Sequence, residues 1–340
     1  MGADARFFER LGPHSAGELA ALAGGELFGD AAAPVSDVAE PASAKAGELY
    51  FLTKSPEQSR KGAVAIVKDA SAVDLLGDNA AVIVAADPRA AFGRACAALL
   101  KPRVHDGAEF VHRDAIVDPA AQLGPGVVVG QGARIGASVV LGPGAVIGPG
   151  VELGEGTVVG ARAVIGFAVI GKRCEIAAGV IIGEAGFGLA HDSRGLFSMP
   201  HVGRVMIGDE VTLGANTTVD RGMIADTRLG TGCRIDNLCH IAHNVSFGEY
   251  AVMAAFGGVS GSVEVGAGAQ FGGRAGVADH VRIGNGAKLA AFAGVMRDVP
   301  DGETWAGSPA QPIQRFMRET VWIRRQAGKK SKGGDEKDRK

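Results

Sequence analysis

LGTGCRIDNLCHIAHNVSF, residues 229 to 247, places Leu229, Ile235, Ile241 and Phe247 six residues apart and fits Asp236, Asn237, His240, His243 and Asn244 between them. A six-residue unit is too short for a helix pair or a propeller blade. It fits one short strand and a tight turn, the unit of a parallel β-helix. Scaffold pattern and polar cluster coincide here, so the same stretch that sets the fold is the first place to look for chemistry.

The period extends far in both directions. Val117, Leu123, Val129, Ile135, Leu141, Ile147, Leu153, Val159 and Ile165 keep it, each followed by Gly except Val117, which is followed by Asp118. One residue is dropped before Ile170, then Ile176 and Ile182 continue. EAGFGLAHDSRGLFSMPHVGRV, residues 184 to 205, breaks the series, which resumes at Ile207, Leu213 and Val219. After DRGMIADTR it runs unbroken from Leu229 to Val295. Three units make a triangular coil of about 18 residues, stacked roughly 4.8 Å from the next. The twenty-seven periodic positions therefore predict about nine coils. Each aliphatic residue points inward, and the Gly after it is expected to take the corner conformation that other residues disfavour.

With 340 residues, 46% hydrophobic, and a net charge of −2, the chain has enough apolar surface for a substantial core and is expected to hold two domains. That near-neutral balance gives no expectation of a nucleic-acid partner. Gly 53 without a three-residue period comes from the hexapeptide repeat. Cys96, Cys174, Cys233 and Cys239 show no CxxC spacing and are expected to be small buried thiols, with no metal site. Acidic Asp4 and Glu9 and the lack of an apolar run argue against a signal peptide, and no stretch approaches the roughly 20 apolar residues of a membrane span. The expected location is the cytoplasm.

Residues 1 to 100 read as a small α/β unit. Ser15 and Glu18 form a capping box for a helix through about Ala23, and Ala63–Val67 and Ala81–Val84 are buried strands. Pro88 begins a helix with Ala91, Phe92, Cys96 and Leu99 on one face. Tyr50, Phe51 and Leu52 in GELYFLTKSPEQ fit either an aromatic edge for a planar ligand or core filling. At the other end, Ile313, Phe316, Met317, Thr320 and Val321 define an amphipathic helix with an Arg-rich face, followed by a charged tail. Open solenoid ends and such a helix point to self-association.

The array with DRG at 220–222, IDN at 235–237, IAHNV at 241–245 and GFG at 186–188, between an α/β domain and a C-terminal helix, resembles the UDP-3-O-(3-hydroxyacyl)glucosamine N-acyltransferases of lipid A biosynthesis. The resemblance covers nearly the whole chain. It implies an all-β solenoid, a left-handed parallel β-helix over residues 103–300. An α/β uridine-binding domain over 1–102 precedes it, and a helical extension over 301–328 and a disordered tail over 329–340 follow. It implies a homotrimer that moves a (3R)-3-hydroxyacyl group from acyl carrier protein to the 2-amino group of UDP-3-O-acyl-glucosamine. The enzyme needs no cofactor of its own, because 4′-phosphopantetheine arrives on the carrier protein.

Residue by residue, the resemblance makes His243 the general base. The chemistry fits, since an amine attacking a thioester must lose a proton and an imidazole ordinarily titrates near 6.5. Gly261, 18 residues on, stacks over His243 and is the candidate oxyanion donor. His280, two coils and one residue beyond His243, is the expected sugar-nucleotide contact, Phe51 the uridine-stacking residue, and Asn237 a substrate contact or orienter. Thr53-Lys54-Ser55-Pro56 departs from the family, which has Asn or Asp and then a Lys-Tyr pair. Arg297, Arg315 and Arg318, with Arg324 and Arg325, offer a basic surface to the acidic carrier protein. His240 is read as structural. Three other readings use the same residues: a UDP-GlcNAc O-acyltransferase or acyl-CoA-dependent acetyltransferase, a zinc carbonic anhydrase built on His240, His243 and His280, and a non-catalytic binding solenoid.

Overall fold

A computed structural model describes residues 2–54, 59–105, 107 and 109–330, with side chains through 327. Three sheets of nine, eleven and nine strands, parallel except for the closing pair Thr304–Ala306 and Gln311–Pro312, form the walls of a triangular prism. Register follows the sequence spacing: Leu123 lies beside Leu141, and Ile241 beside Val259, which in turn lies beside Val277. The periodic aliphatic residues fill the prism, from Val129 and Ile147 to Leu289 and Val295. This is the expected left-handed parallel β-helix of hexapeptide repeats.

The role of the repeat glycine needs correcting. The left-handed conformation falls two residues later than expected, at Gly126 (φ 70°), Gly132 (φ 66°), Asn244 (φ 62°) and His280 (φ 58°). Gly130, directly after Val129, lies outside that region. A Cβ there would sit 2.5 Å from the Pro149 nitrogen of the next coil. The glycine after each aliphatic residue is therefore kept small by coil-to-coil approach. The corner conformation belongs to the third residue, which throws its side chain outward.

The N-terminal unit forms as its pattern predicts. Helix α1 (Ala16–Ala23) starts at Ser15 with the full capping box to Glu18, and helix α2 (Pro88–Leu99) is capped by Asp87 with Pro88 at its first turn. Five strands order as Glu26–Gly29, Ala81–Val84, Val64–Val67, Glu48–Phe51 and Asp37–Val38, with the first antiparallel to its neighbour and the others parallel. The unit is fastened to the solenoid at two points. Phe7 and Phe8 pack on Phe167 at 5.9 and 5.1 Å, and Arg6 pairs with Glu152 at 2.7 Å. The interruption at 184–205 carries a hairpin, Leu189–Asp192 with Gly195–Ser198, that reaches α2. There Arg94 pairs with Asp192 at 2.7 Å and lies over Phe197 at 4.3 Å. This fastening sets the N-terminal unit over the solenoid corner that carries His243.

After the last coil, helix α3 (Ile313–Lys330) turns back on Thr304–Ala306, with Phe316 against Gly307. All four cysteines are free and buried, and burial pushes the Cys96 thiol up to about 12. Among the described residues no helix is long and apolar enough to cross a membrane. The charged tail from residue 331 lies outside the described residues.

Candidate active site

His243 sits at the second position after Ile241, beside the left-handed Asn244. Two glycines make room for its ring. A Cβ on Gly186 would lie 2.7 Å from His243 Cβ and Cδ2, and one on Gly261 would lie 2.7 Å from Cε1 and 2.8 Å from Nε2. The ring is thus boxed between the GFG loop of the interruption and the next coil. His201, from the end of the same interruption, meets it edge-on at 5.2 Å.

The hydrogen bonds fix which nitrogen is basic. Asn244 Oδ1 accepts from the Met223 N–H at 2.9 Å while its Nδ2 donates to the Ala225 carbonyl at 3.2 Å. The amide is therefore oriented with oxygen toward His243 Nδ1, 3.1 Å away. Only a protonated Nδ1 satisfies that oxygen, which leaves Nε2 with the lone pair. Nε2, with Cε1, is on the side of the ring that faces Gly261.

Gly261 offers the complementary group. Its carbonyl accepts from the His280 N–H at 3.1 Å, and the adjacent Ser262 N–H donates to the His243 carbonyl at 3.0 Å. Its own N–H has no hydrogen-bond partner among the described residues. At some other corners the equivalent amide is capped by a side chain, while at Gln131, Glu249 and Gly273 it too has no partner among the described residues. Ala215 donates to Asn237 Oδ1 at 2.7 Å, Ala267 to Asn285 at 3.0 Å and Asn285 to Asp301 at 2.9 Å. An uncapped corner amide beside a basic nitrogen suits a developing oxyanion.

Two cavities meet at this corner. The first, about 1020 Å³, runs along one face of the prism over His240, Gly258, Gly276 and Gly294 and over Asp220, Ala242, Ser260, Ala278 and Met296. These two columns are the outward side of one sheet, and would-be Cβ atoms on Gly258 and Gly276 meet nothing within 4 Å. Phe187, 85% exposed, and Arg89 overhang its near end. The second, about 880 Å³, lies between the solenoid and the N-terminal unit, against Tyr50, Phe51, Lys54, Met223, Asn244 and Glu264. Phe51, Met223, Ser262 and His280 line both.

His243, Gly261, His280 and Phe51 are thus brought together. Phe51 packs on Phe92 at 4.9 Å, as core filling requires, and its side chain also borders both cavities. Tyr50 is core, with its hydroxyl on Asn79. Asn237 is not brought in. Six residues is one face of the triangle, and its side chain caps Ala215 and bonds Asp236 at 2.8 Å, away from both cavities. Ser55 and Pro56 lie outside the described residues. Arg297 lies over Trp305 at 5.2 Å, Arg315 pairs with Glu319 at 2.8 Å, and Arg318 is exposed on α3.

Several site residues escaped the sequence reading. Asp220 and Arg221 belong to the DRG motif, to which the sequence alone assigns no chemistry. Arg221 is buried under Phe167, donates to the His201 and Gly183 carbonyls, and is pushed down to about 10 by burial. His201, 2% exposed, donates from Nδ1 to the Met199 carbonyl at 2.9 Å, and burial pushes it down to about 4. Arg89 and Phe187 arrive through tertiary contact alone.

A hexapeptide solenoid with a boxed histidine and a long groove defines a transferase of the hexapeptide-repeat class. The pattern described as bacterial transferase hexapeptide (six repeats) matches residues 132–167, and that of the hexapeptide repeat of succinyl-transferase matches 204–237. The UDP-3-O-acylglucosamine N-acyltransferase of Caulobacter sp. (strain K31) is 47% identical over 339 residues, 98% of this chain and 99% of that relative. The enzyme of the same name from Maricaulis maris (strain MCS10) is 47% identical over 97% of this chain and 98% of its own. The chain belongs to the UDP-3-O-acylglucosamine N-acyltransferase family, and is an acyltransferase. Among solved structures, the UDP-N-acetylglucosamine acyltransferase of Francisella novicida is similar at 25% identity, covering 59% of this chain and 69% of that chain, with a TM-score of 0.45. Family membership sets aside the carbonic anhydrase and binding-module readings.

Proposed function

We propose that the chain transfers a 3-hydroxyacyl group from the thioester of an acyl carrier protein to the 2-amino group of UDP-3-O-acyl-glucosamine, with His243 as general base. The observation that carries this is the orientation of His243. Asn244 holds Nδ1–H, and Nε2 faces the place where the Gly261 amide stands uncapped.

The sugar nucleotide fits the second cavity, with its uracil on the exposed part of Phe51 and Lys54 near its phosphates. His280 then stands at the junction, beside the sugar. The amine attacks the thioester carbon as a C–N bond forms, His243 Nε2 takes the amine proton, and the Gly261 N–H holds the oxyanion. Collapse breaks the C–S bond, and the proton on His243 passes to the leaving thiolate. The products are an amide and a free thiol, with no net proton change.

The acyl chain lies in the glycine-floored groove. From the His240 coil to the Gly294 coil is three steps, roughly 14 Å, and Met296 stands at the far end. Assembly into a homotrimer is supported by a column of exposed groups on one corner: Leu238, Phe256, Arg274 and Phe292, with Arg274 lying over both Phe rings at 4.7 and 5.7 Å. Apolar surface so arranged marks an interface. Arg297, Arg318 and the exposed end of α3 offer the carrier protein a basic approach, and that donor places the reaction in the cytoplasm.

The test is product analysis. UDP-3-O-acylglucosamine amine is incubated with 3-hydroxyacyl carrier proteins of several lengths, or with the matching acyl-CoA, and the product is identified by mass spectrometry. An amide formed fastest from the carrier protein is the expected result. Equal use of acyl-CoA, or an ester product, would overturn the donor or the acceptor assignment.

A further inference from the structure

Asp220 and His240 stand in the same cavity as His243, and neither has a part in the reaction as described. Register sets Thr218 beside His240 and Val219 beside Ile241, so Asp220 follows on the outward side of the sheet next to Ala242. His240 is held from both ring nitrogens. Thr218 Oγ1 lies 2.8 Å from Nδ1, and Asp220 Oδ2 lies 3.7 Å from Nε2. The Asp220 side chain is only 13% exposed. Besides His240, the charged or titratable groups facing it are His243 from the following turn, Glu184 from the neighbouring strand and Arg221 on its own strand. Burial pushes its carboxyl up, while His240 and His243 draw it back down. His243 itself is met by Asp220, by His201, which burial keeps neutral at physiological pH, and by the uncharged Asn244. When His243 takes the amine proton, Asn244 offers it no negative charge. Asp220 and Asp279 both line the cavity, and Asp220 is the one whose charge acts with His243.

We propose that Asp220 is a positioning residue whose carboxylate is divided between His240 and His243, so that His240 sets how much negative charge reaches the imidazolium formed on the base. The proposal rests on the reading of His243 as general base. His240 is thereby moved from a structural residue to the regulator of that charge. No bond is made or broken at either group, and the proton path remains from amine to His243 to thiolate.

The two residues have opposite signatures. Asp220→Asn removes the charge, so the acid limb of kcat/KM moves to lower pH by on the order of one unit and kcat falls by about tenfold. His240→Gln releases the carboxylate to His243, so the limb moves to higher pH. The double variant behaves as Asp220→Asn. KM for the sugar nucleotide stays within about twofold in all three. A purely structural role would lower stability and kcat without moving the limb in opposite directions. His240 is exposed and its replacement leaves the core untouched, so the sign of that one shift decides the matter should Asp220→Asn fail to fold.

Imidazole titration of His243 by NMR, on the full-length protein labelled in histidine, separates this proposal from the reading beneath it. The midpoint responds to Asp220 and His240 whether or not His243 is the base, and the kcat/KM limb follows it only if it is. Opposite shifts of the midpoint in the two single variants are the expected result. A midpoint unchanged in both, or moved downward by His240→Gln, overturns the proposal.

Discussion

Gly261→Ala places one methyl group where the base needs room. The added Cβ would lie 2.7 Å from His243 Cε1, 2.8 Å from Nε2 and 3.3 Å from Nδ1, closer than such contacts allow. The ring can give way only toward the cavity it lines. On its other side Gly186 already admits His243 Cβ and Cδ2 at 2.7 Å from its own would-be Cβ, and Nδ1 is tied to Asn244. Gly261 lies outside the left-handed φ region, so alanine brings no backbone strain, and the added group borders an open cavity. The cost to folding should therefore be under about 1 kcal/mol. A displacement near 1 Å at a reacting group costs about a hundredfold in rate, or roughly 2.7 kcal/mol of barrier. The assay is steady-state kcat with saturating acyl carrier protein donor, beside a thermal melt of the same sample. A kcat within threefold of wild type would refute the packing argument. So would a loss of activity matched by a melting temperature lowered by more than about 8 °C, since a 1 kcal/mol change shifts a domain by a few degrees.

Phe51→Ala should raise KM for the sugar nucleotide by about tenfold with little change in kcat, measured by initial rates at saturating donor, since a lost aromatic stack is worth on the order of 1 kcal/mol. His201 makes a pH prediction. Its folded value of about 4 lies below the ordinary 6.5, so the unfolded chain binds the extra proton first. Stability is full above pH 6.5 and falls as pH drops toward 4, by up to about 3 kcal/mol, and urea unfolding at pH 7 and 4.5 should show that loss in wild type and much less in His201→Phe. Removing residues 309–340 should raise KM for the carrier protein more than for the nucleotide. Equal rises in the two would assign α3 to assembly alone.

The fold was legible because a β-helix writes one buried residue per side into the sequence, and the positions from Val117 to Val295 carry that mark in almost every coil. The glycine after each aliphatic residue was visible too. Its reason was misassigned, because φ and close approach leave the same letter. Within the site, the 18-residue coil led from His243 to Gly261 correctly, since both lie on the second position of one corner. The same arithmetic put Asn237 on the preceding side of the coil, and there it caps Ala215, away from both cavities. Asp220, His201, Arg89 and Phe187 come from the interruption, the strand after it and helix α2. Asp220 reaches the site through the register of Thr218–Arg221 with the His240 strand, and Arg89 through the docking of the N-terminal unit by Arg94 and Asp192, and no local period records either contact.

In the proposed reaction His243 Nε2 accepts the amine proton, and every later step depends on that transfer. It is tested most directly by kcat of His243→Ala on UDP-3-O-acylglucosamine amine with 3-hydroxyacyl carrier protein, with the amide product counted by mass spectrometry and substrate binding measured on the same protein. With His243 as the base, kcat falls by roughly 10²–10⁴ and nucleotide affinity stays within a few fold of wild type. A variant that keeps more than about a tenth of wild-type kcat, a barrier change under 1.4 kcal/mol, would contradict it.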